Sequence, residues 1–107
     1  MNLPLLPSIE FEQPIDADLP AFDGHFPGAP VLPGAMLLAL VLRAVERQPA
    51  WASRVGPHPC VPQVKFLAAV GPGQMLHIRL DASARAIAFS VRCGDTVVAR
   101  GQIQASP

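Results

Sequence analysis

An almost uninterrupted apolar segment, residues 35–42 (AMLLALVL), constrains the fold of this chain more than any other stretch of its sequence. Pro33 is typical of the first turn of a helix, and Gln48–Pro49 is typical of a helix end. The sequence therefore predicts a helix from about Pro33 to Arg47. Because this helix is apolar on nearly every side, we expect the rest of the fold to wrap it on all sides.

The ten residues before the helix, His25 to Gly34, form a loop with three prolines and two glycines. Proline fixes the backbone φ angle and glycine allows close backbone approach, so this loop can hold its histidine in one place. An imidazole with the ordinary pKa of about 6.5 can accept a proton near neutral pH. A helix N-terminus at Gly34 presents unpaired N–H groups and partial positive charge, which stabilise an oxygen that gains negative charge. A loop and a helix start of this kind are physically suited to proton transfer by the histidine and to binding of a negatively charged oxygen.

The segment H-F-P-G-x-P-x-x-P-G, followed by an apolar helix, resembles the signature of the β-hydroxyacyl-acyl carrier protein dehydratase family. The matching positions are His25, Phe26, Pro27, Gly28, Pro30, Pro33 and Gly34. The chain from Val61 to Gln104 also resembles the strand meander of that family. The resemblance implies one α+β hot-dog domain over residues 1–107, an antiparallel β-sheet wrapped around a long central helix. It also implies a dimer with active sites at the subunit interface.

The resemblance also implies roles for individual residues. His25 would remove the α-proton of a 3-hydroxyacyl thioester, and the backbone N–H of Gly34 would bind the thioester carbonyl. The positions expected to contact the substrate are Phe26, Gly28, Pro33, Met36 and Ala39. The family places an Asp or Glu five residues after the second motif glycine, but this chain has Ala39 there. Because a methyl group cannot transfer a proton, the acid must come from elsewhere, and Asp23 is a candidate.

These observations leave three functions open. The first is a (3R)-hydroxyacyl-acyl carrier protein dehydratase that eliminates water to give a trans-2-enoyl thioester, in fatty-acid, polyketide or aryl-polyene-type synthesis. Its acid would come from a homologous hot-dog partner, or from Asp23 or a water molecule in a homodimer. The second is a non-catalytic module that binds acyl thioesters or carrier proteins, which the missing carboxylate favours. The third is a hot-dog thioesterase in which His25 or Asp23 activates water.

Charge is distributed unevenly along the chain. Residues 1–42 contain five acidic and no basic side chains, whereas residues 43–107 contain eight basic and three acidic ones. Arg43, Arg47 and Arg54 follow one another near the predicted helix end, and this cluster would attract an acidic carrier protein tethered to the acyl group. The alternative is a solvated helix terminus at which arginine side chains favour the helix dipole. The few aromatic residues are not interleaved with basic ones, which argues against nucleic-acid binding.

The composition predicts no metal, cofactor or membrane span. Cys60 and Cys93 are far apart and in no metal-binding or redox spacing, and His58 adds only one further ligand near them. The apolar run of residues 35–42 is much shorter than the ~20 residues that cross a bilayer. We therefore expect a protein of the reducing cytoplasm. Half of the residues are hydrophobic, so we also expect a partner subunit to cover apolar surface.

Alternating apolar and polar residues predict one strand near the N-terminus and four more after the helix. The predicted strands cover residues 8–12, 61–70, 74–81, 86–93 and 96–104. On the last strand, the side chains expected to face inward are Val97, Ala99, Gly101 and Ile103. Between the helix and these strands, prolines predict an irregular crossing over residues 50–59, with Trp51 in the core or at its rim.

Overall fold

The computed structural model describes residues 8–22, 31–83 and 86–106 of the 107-residue chain. Its strands are β1 (Ile9–Pro14), β2 (Pro59–Phe66), β3 (Met75–Ser83), β4 (Ala86–Cys93) and β5 (Thr96–Ala105). Its helices are α1 (Gly34–Glu46) and α2 (Pro49–Val55), and a short 3-10 helix covers Pro20–Phe22. None of the described helices is long and apolar enough to cross a membrane.

The five strands form one antiparallel sheet in the order β1-β3-β4-β5-β2, so β1 and β2 are its edges. The alternation of the sequence places one face of the sheet in the core. The most deeply buried side chains of the central strands are Leu76, Ile78, Leu80, Ile87, Phe89 and Val91. The predicted α+β class is confirmed, and β4 begins and ends where the alternation predicted.

Helix α1 buries only one side against this sheet. Its buried residues, Leu37, Val41 and Val45, recur at every fourth position and form a single stripe. On the other side, Ala39 is exposed and Met36 is 42% exposed. The predicted wrapping of the helix on all sides is therefore wrong for the chain by itself, because one five-stranded sheet covers only one side of a helix. The prediction of a long, fully enclosed central helix is not confirmed.

Strand β5 contains a β-bulge that the alternation of its sequence does not predict. Val91 pairs with Ala99 but Arg92 pairs with Val97, which leaves Val98 without a partner position on β4. Val98 and Ala99 are both buried, and Val97 is exposed. The inward placement of Val97 is wrong, because the extra residue shifts the alternation by one position.

The bulge also fixes the chain that leaves β2. The backbone carbonyl of Val98 accepts hydrogen bonds from the N–H groups of Leu67, at 2.8 Å, and Ala68, at 3.4 Å. Strand β2 consequently ends at Phe66, four residues before the predicted end at Val70. The bulge thereby positions the segment that faces the beginning of α1.

Helix α2 occupies the segment for which an irregular crossing was predicted. Pro49 ends the first helical run and also starts the second, since a proline in the first turn of a helix loses no hydrogen bond. Trp51 and Val55 on this helix are buried, so the prediction of Trp51 as a core residue is confirmed. The sequence pattern had predicted Pro49 only as a helix end.

A charged network lies on the solvent face of the sheet, at the β1 edge. The Arg79 guanidinium donates to the Asp81 carboxylate at 2.9 Å and lies 3.7 Å from the Glu10 carboxylate. The Ser8 hydroxyl also donates to Asp81. The hydrogen bonds from Arg79 and then from Ser8 hold the pKa of Asp81 below its usual range, and Asp81 in turn raises the pKa of Arg79.

This network predicts a stability difference that depends on pH. Since the pKa of Asp81 is lowered in the folded state, its contribution to stability is present above the ordinary Asp pKa of about 3.9 and is lost as the pH falls through the lower folded pKa. We expect Asp81→Asn to lower the melting temperature at pH 7, and the difference from wild type to vanish toward pH 2. Thermal unfolding at both pH values tests this, and a difference that stays constant with pH would contradict it.

Candidate functional site

Of the predicted site, the described residues contain the part at the start of α1. This part comprises Pro33, Gly34, Met36 and Ala39. The other predicted site residues, Asp23, His25, Phe26 and Gly28, lie outside the described residues, so their roles stay predictions. The described part of the site is therefore the helix N-terminus and the residues that pack on it.

The chain that enters α1 is tied to the loop between β2 and β3. Leu32 is buried, and its N–H donates to the carbonyl of Val70 at 2.7 Å. Val70 is itself buried in the same core. The last residues of the motif are thus fixed to the core immediately before the helix begins.

The first turn of α1 includes N–H groups that have no acceptor among residues 8–22, 31–83 and 86–106. The Pro33 carbonyl accepts from the N–H groups of Met36, at 3.0 Å, and Leu37, at 3.1 Å, and no side chain caps the helix. Within the described residues, the N–H groups of Gly34 and Ala35 have no acceptor. Such groups at a helix N-terminus attract an oxygen that carries negative charge. The backbone at Gly34 can therefore bind the oxygen of a polarised carbonyl.

An aromatic residue that sequence reasoning missed packs on Gly34. A β-carbon at position 34 would lie 2.9 Å from the ring of Phe66, so only glycine lets this ring approach the helix so closely. Phe66 is nevertheless 50% exposed, as are Leu67 at 51% and Met36 at 42%. We call Met36, Phe66 and Leu67 the apolar rim. The only sequence signal for it was an apolar pair at the point where the β2 alternation stops.

Ala39 lies on the exposed side of α1, away from the buried stripe of the helix. A side chain at this position projects away from the sheet of its own chain. The next carboxylate on the helix is Glu46, which lies seven residues and roughly 10 Å further along the axis. Neither residue therefore supplies an acid next to Gly34.

The structure separates the predicted arginine cluster into two parts. Arg43 and Arg47 line a cavity of about 170 Å³ between α1 and β1, whereas Arg54 lies on α2 and is not part of its wall. Glu12 on β1 lines the same cavity and offsets part of its positive charge. As for metals, the described residues contain no group of three or more His, Cys, Asp or Glu side chains that could hold an ion.

Comparison with known proteins assigns this chain to a family. The family model of ApeI-like proteins, described as ApeI dehydratase, matches residues 6–102. The 3-hydroxyacyl-[acyl-carrier-protein] dehydratase FabZ of Desulforamulus reducens is 32% identical over 71 residues, which are 63% of this chain and 50% of that protein. The chain thus spans about half the length of the curated relative that it matches.

Two solved structures share the fold. One is the dehydratase heterocomplex ApeI:P from Xenorhabdus doucetiae, with a TM-score of 0.71 and 22% identity over 91% of this chain and 85% of that chain. The other is the fluoroacetyl-CoA thioesterase FlK, with a TM-score of 0.67 and 16% identity over 96% and 86%. The predicted hot-dog fold is confirmed. With the family model covering most of its length, the chain belongs to the ApeI-like dehydratase family.

Proposed function

We propose that this chain is the histidine-bearing subunit of a 3-hydroxyacyl-acyl carrier protein dehydratase, and that a homologous hot-dog partner supplies the acid. The observation that carries the proposal is the open helix N-terminus at Gly34, directly after the histidine motif. The family membership and the similarity to FabZ support the reaction class.

The proposed reaction removes a proton from C2 and the hydroxyl group from C3 of the acyl thioester. His25 takes the C2 proton, and the negative charge that develops on the thioester oxygen is stabilised by the N–H of Gly34. The electron pair then forms the C2–C3 double bond as the C3 hydroxyl leaves. A carboxylic acid protonates this hydroxyl, so the products are water and the trans-2-enoyl thioester. Pro33, Met36, Phe26 and Gly28 would line the substrate site.

The exposed side of α1 is an argument for a partner subunit. Ala39 and Met36 project away from the sheet of their own chain, and Phe66 and Leu67 leave apolar surface at the same end of the molecule. Apolar surface of this kind marks a protein interface. A hot-dog partner that covers this side would bring its own helix, with an Asp or Glu, toward His25. The alternative is a homodimer in which Asp23 or a water molecule replaces the missing acid.

The proposal also covers the delivery of the substrate, the domain organisation and the location of the chain. The partner in substrate delivery would be an acidic carrier protein, and the cluster of Arg43, Arg47 and Arg54 that the sequence predicted is one of two candidate surfaces for it. We propose that residues 1–107 act as one domain without a cofactor. A cytoplasmic location fits the free thiols of Cys60 and Cys93.

Hydration of a crotonyl thioester, the reverse reaction, tests the function. The chain is assayed alone and mixed with candidate hot-dog partners, while absorbance follows the double bond and a thiol reagent follows free thiol. Loss of the double bond without thiol release is the expected result. Thiol release would identify a thioesterase instead. Silence in every mixture, with retained binding of the thioester, would identify the non-catalytic binding module that the absent carboxylate at Ala39 favours.

Restoring the missing carboxylate should raise activity. A positioned general acid contributes about 10²–10⁴-fold to a rate, so we expect Ala39→Glu to increase crotonyl hydration by the chain alone by at least about tenfold. Ala35→Glu is the matched control, because Ala35 lies on the same exposed side one turn earlier. An equal rise in both variants, or no rise in a folded Ala39→Glu protein, would argue that the acid is already supplied or that this position does not face the substrate.

A further inference from the structure

One row of side chains crosses all five strands on the solvent face of the sheet. Strand register places Glu10, Arg79, Ser90, Arg100 and Lys65 side by side, in the order β1-β3-β4-β5-β2. At the β1 edge of the row, the arginine has carboxylate partners. At the β2 edge, two cations lie directly opposite one another.

These two cations, Lys65 and Arg100, have no carboxylate partner among residues 8–22, 31–83 and 86–106. Both are exposed. Like charges at directly opposed positions of neighbouring strands repel each other and destabilise the pairing. On the same face, the charge of Arg79 is neutralised by the carboxylates of Glu10 and Asp81. The unneutralised pair indicates binding of an external anion.

A shallow groove of about 390 Å³ runs beside the pair. Its floor is Ala88 and Ser90, whose short side chains leave space between the longer ones of the neighbouring strands. The hydrogen-bonding side chains that line it are those of Gln63, Lys65, Asp81, Ser90, Arg100 and Gln102, and the Asp81 carboxylate is already bonded to Arg79. Small-molecule sites are concave and mostly apolar. An open groove on a sheet face, with two cations that have no carboxylate partner among the described residues, suits the acidic surface of a protein instead.

We propose that Lys65 and Arg100, with the groove beside them, dock the acidic face of the carrier protein that delivers the acyl group; this rests on the proposed function. The location supports it. Lys65 immediately precedes Phe66, the last residue of β2, whose ring packs on Gly34. A tether from a partner bound here can pass the end of β2 to reach the helix N-terminus. The alternative surface at Arg43 and Arg47 also has one carboxylate in its cavity, that of Glu12, whereas the Asp81 carboxylate beside Lys65 and Arg100 is already paired with Arg79.

The test measures binding of crotonyl-loaded acyl carrier protein to the full chain, with its partner subunit where one is required. Complementary charge raises association rates by 10-fold or more at low salt. We expect Lys65→Glu and Arg100→Glu each to lower the association rate constant by about tenfold at low ionic strength. The difference should disappear near 1 M salt, where the Debye length is about 3 Å. Arg92→Glu is the matched control, since Arg92 is an exposed β4 arginine on the solvent face of the sheet.

Three results would overturn the docking surface. One is unchanged association in folded Lys65→Glu and Arg100→Glu proteins. Another is an equal loss in Arg92→Glu, which would indicate a net-charge effect. The third is a loss in Arg43→Glu alone, which would move the docking site to α1. Turnover of crotonyl N-acetylcysteamine, a small thioester without a carrier, is measured separately on the wild-type chain together with its partner subunit. If it is turned over while the charge reversals have no effect, only the docking surface fails. If it is not turned over, the proposed function fails.

Discussion

His25→Ala is expected to lower crotonyl thioester hydration by about 10²–10⁴-fold in the assembly that catalyses it, because general-base catalysis contributes that much. The loss should fall on kcat more than on KM, since the histidine acts on the proton that moves in the transition state. Binding of the thioester, which the N–H of Gly34 and the apolar rim would support, should persist. Steady-state hydration kinetics and equilibrium binding of the same thioester measure the two quantities.

The control for this variant is His58→Ala, which removes an exposed imidazole just before β2. Its hydration rate should equal that of wild type. If both variants lose activity equally, the loss reflects a general perturbation of the protein. If His25→Ala keeps full activity while remaining folded, the histidine is not the base and the dehydratase mechanism proposed for this chain is wrong.

Gly101→Ala is expected to cause a larger loss of stability than Gly→Ala at positions 34, 56, 73 or 94. A β-carbon at position 101 would overlap the backbone oxygen of Gln63 on β2 and lie 2.9 Å from the ring of Phe89 on β4. Neither group can move easily, because one is backbone of the neighbouring strand and the other is a buried core ring. Overpacking of this kind costs about 1–3 kcal/mol. We expect a melting temperature lower by roughly 10–20 °C, measured by circular dichroism.

Gly34→Ala provides the comparison. Its β-carbon would also come within 2.9 Å of an aromatic ring, but this ring belongs to Phe66, which is half exposed and free to swing outward. The change in unfolding free energy should stay within about 1 kcal/mol. Equal losses in the two variants would mean that the strand backbone near Gln63 yields as easily as a surface side chain.

The fold was predictable where local pattern decides it. Strict alternation placed β4 at its observed bounds, and the apolar run placed α1 within one residue. The errors came from features that need tertiary information. Val97 was assigned inward because a bulge at Val98 leaves no mark in the alternation, and α2 was missed because Pro49 serves as both an end and a beginning.

The motif predicted the site residues but not their contacts. The loop and the apolar helix predicted an N–H group at Gly34 that binds an oxyanion, and this role stays a prediction. Phe66 packs on that glycine from a strand more than thirty residues later, and no pattern in the sequence links the two positions. Lys65 and Arg100 likewise meet only through strand register. Long-range pairing of this kind is decided by the whole sheet.

The half-covered helix α1 has a consequence for every stability measurement on this protein. An association that covers Met36, Ala39 and Phe66 binds only the folded chain, so its free energy adds to folding by mass action. The melting temperature should then rise with protein concentration. Variants such as Gly101→Ala are comparable with wild type only at one fixed protein concentration. Dilution would dissociate the subunits and lower the melting temperature to that of the monomer.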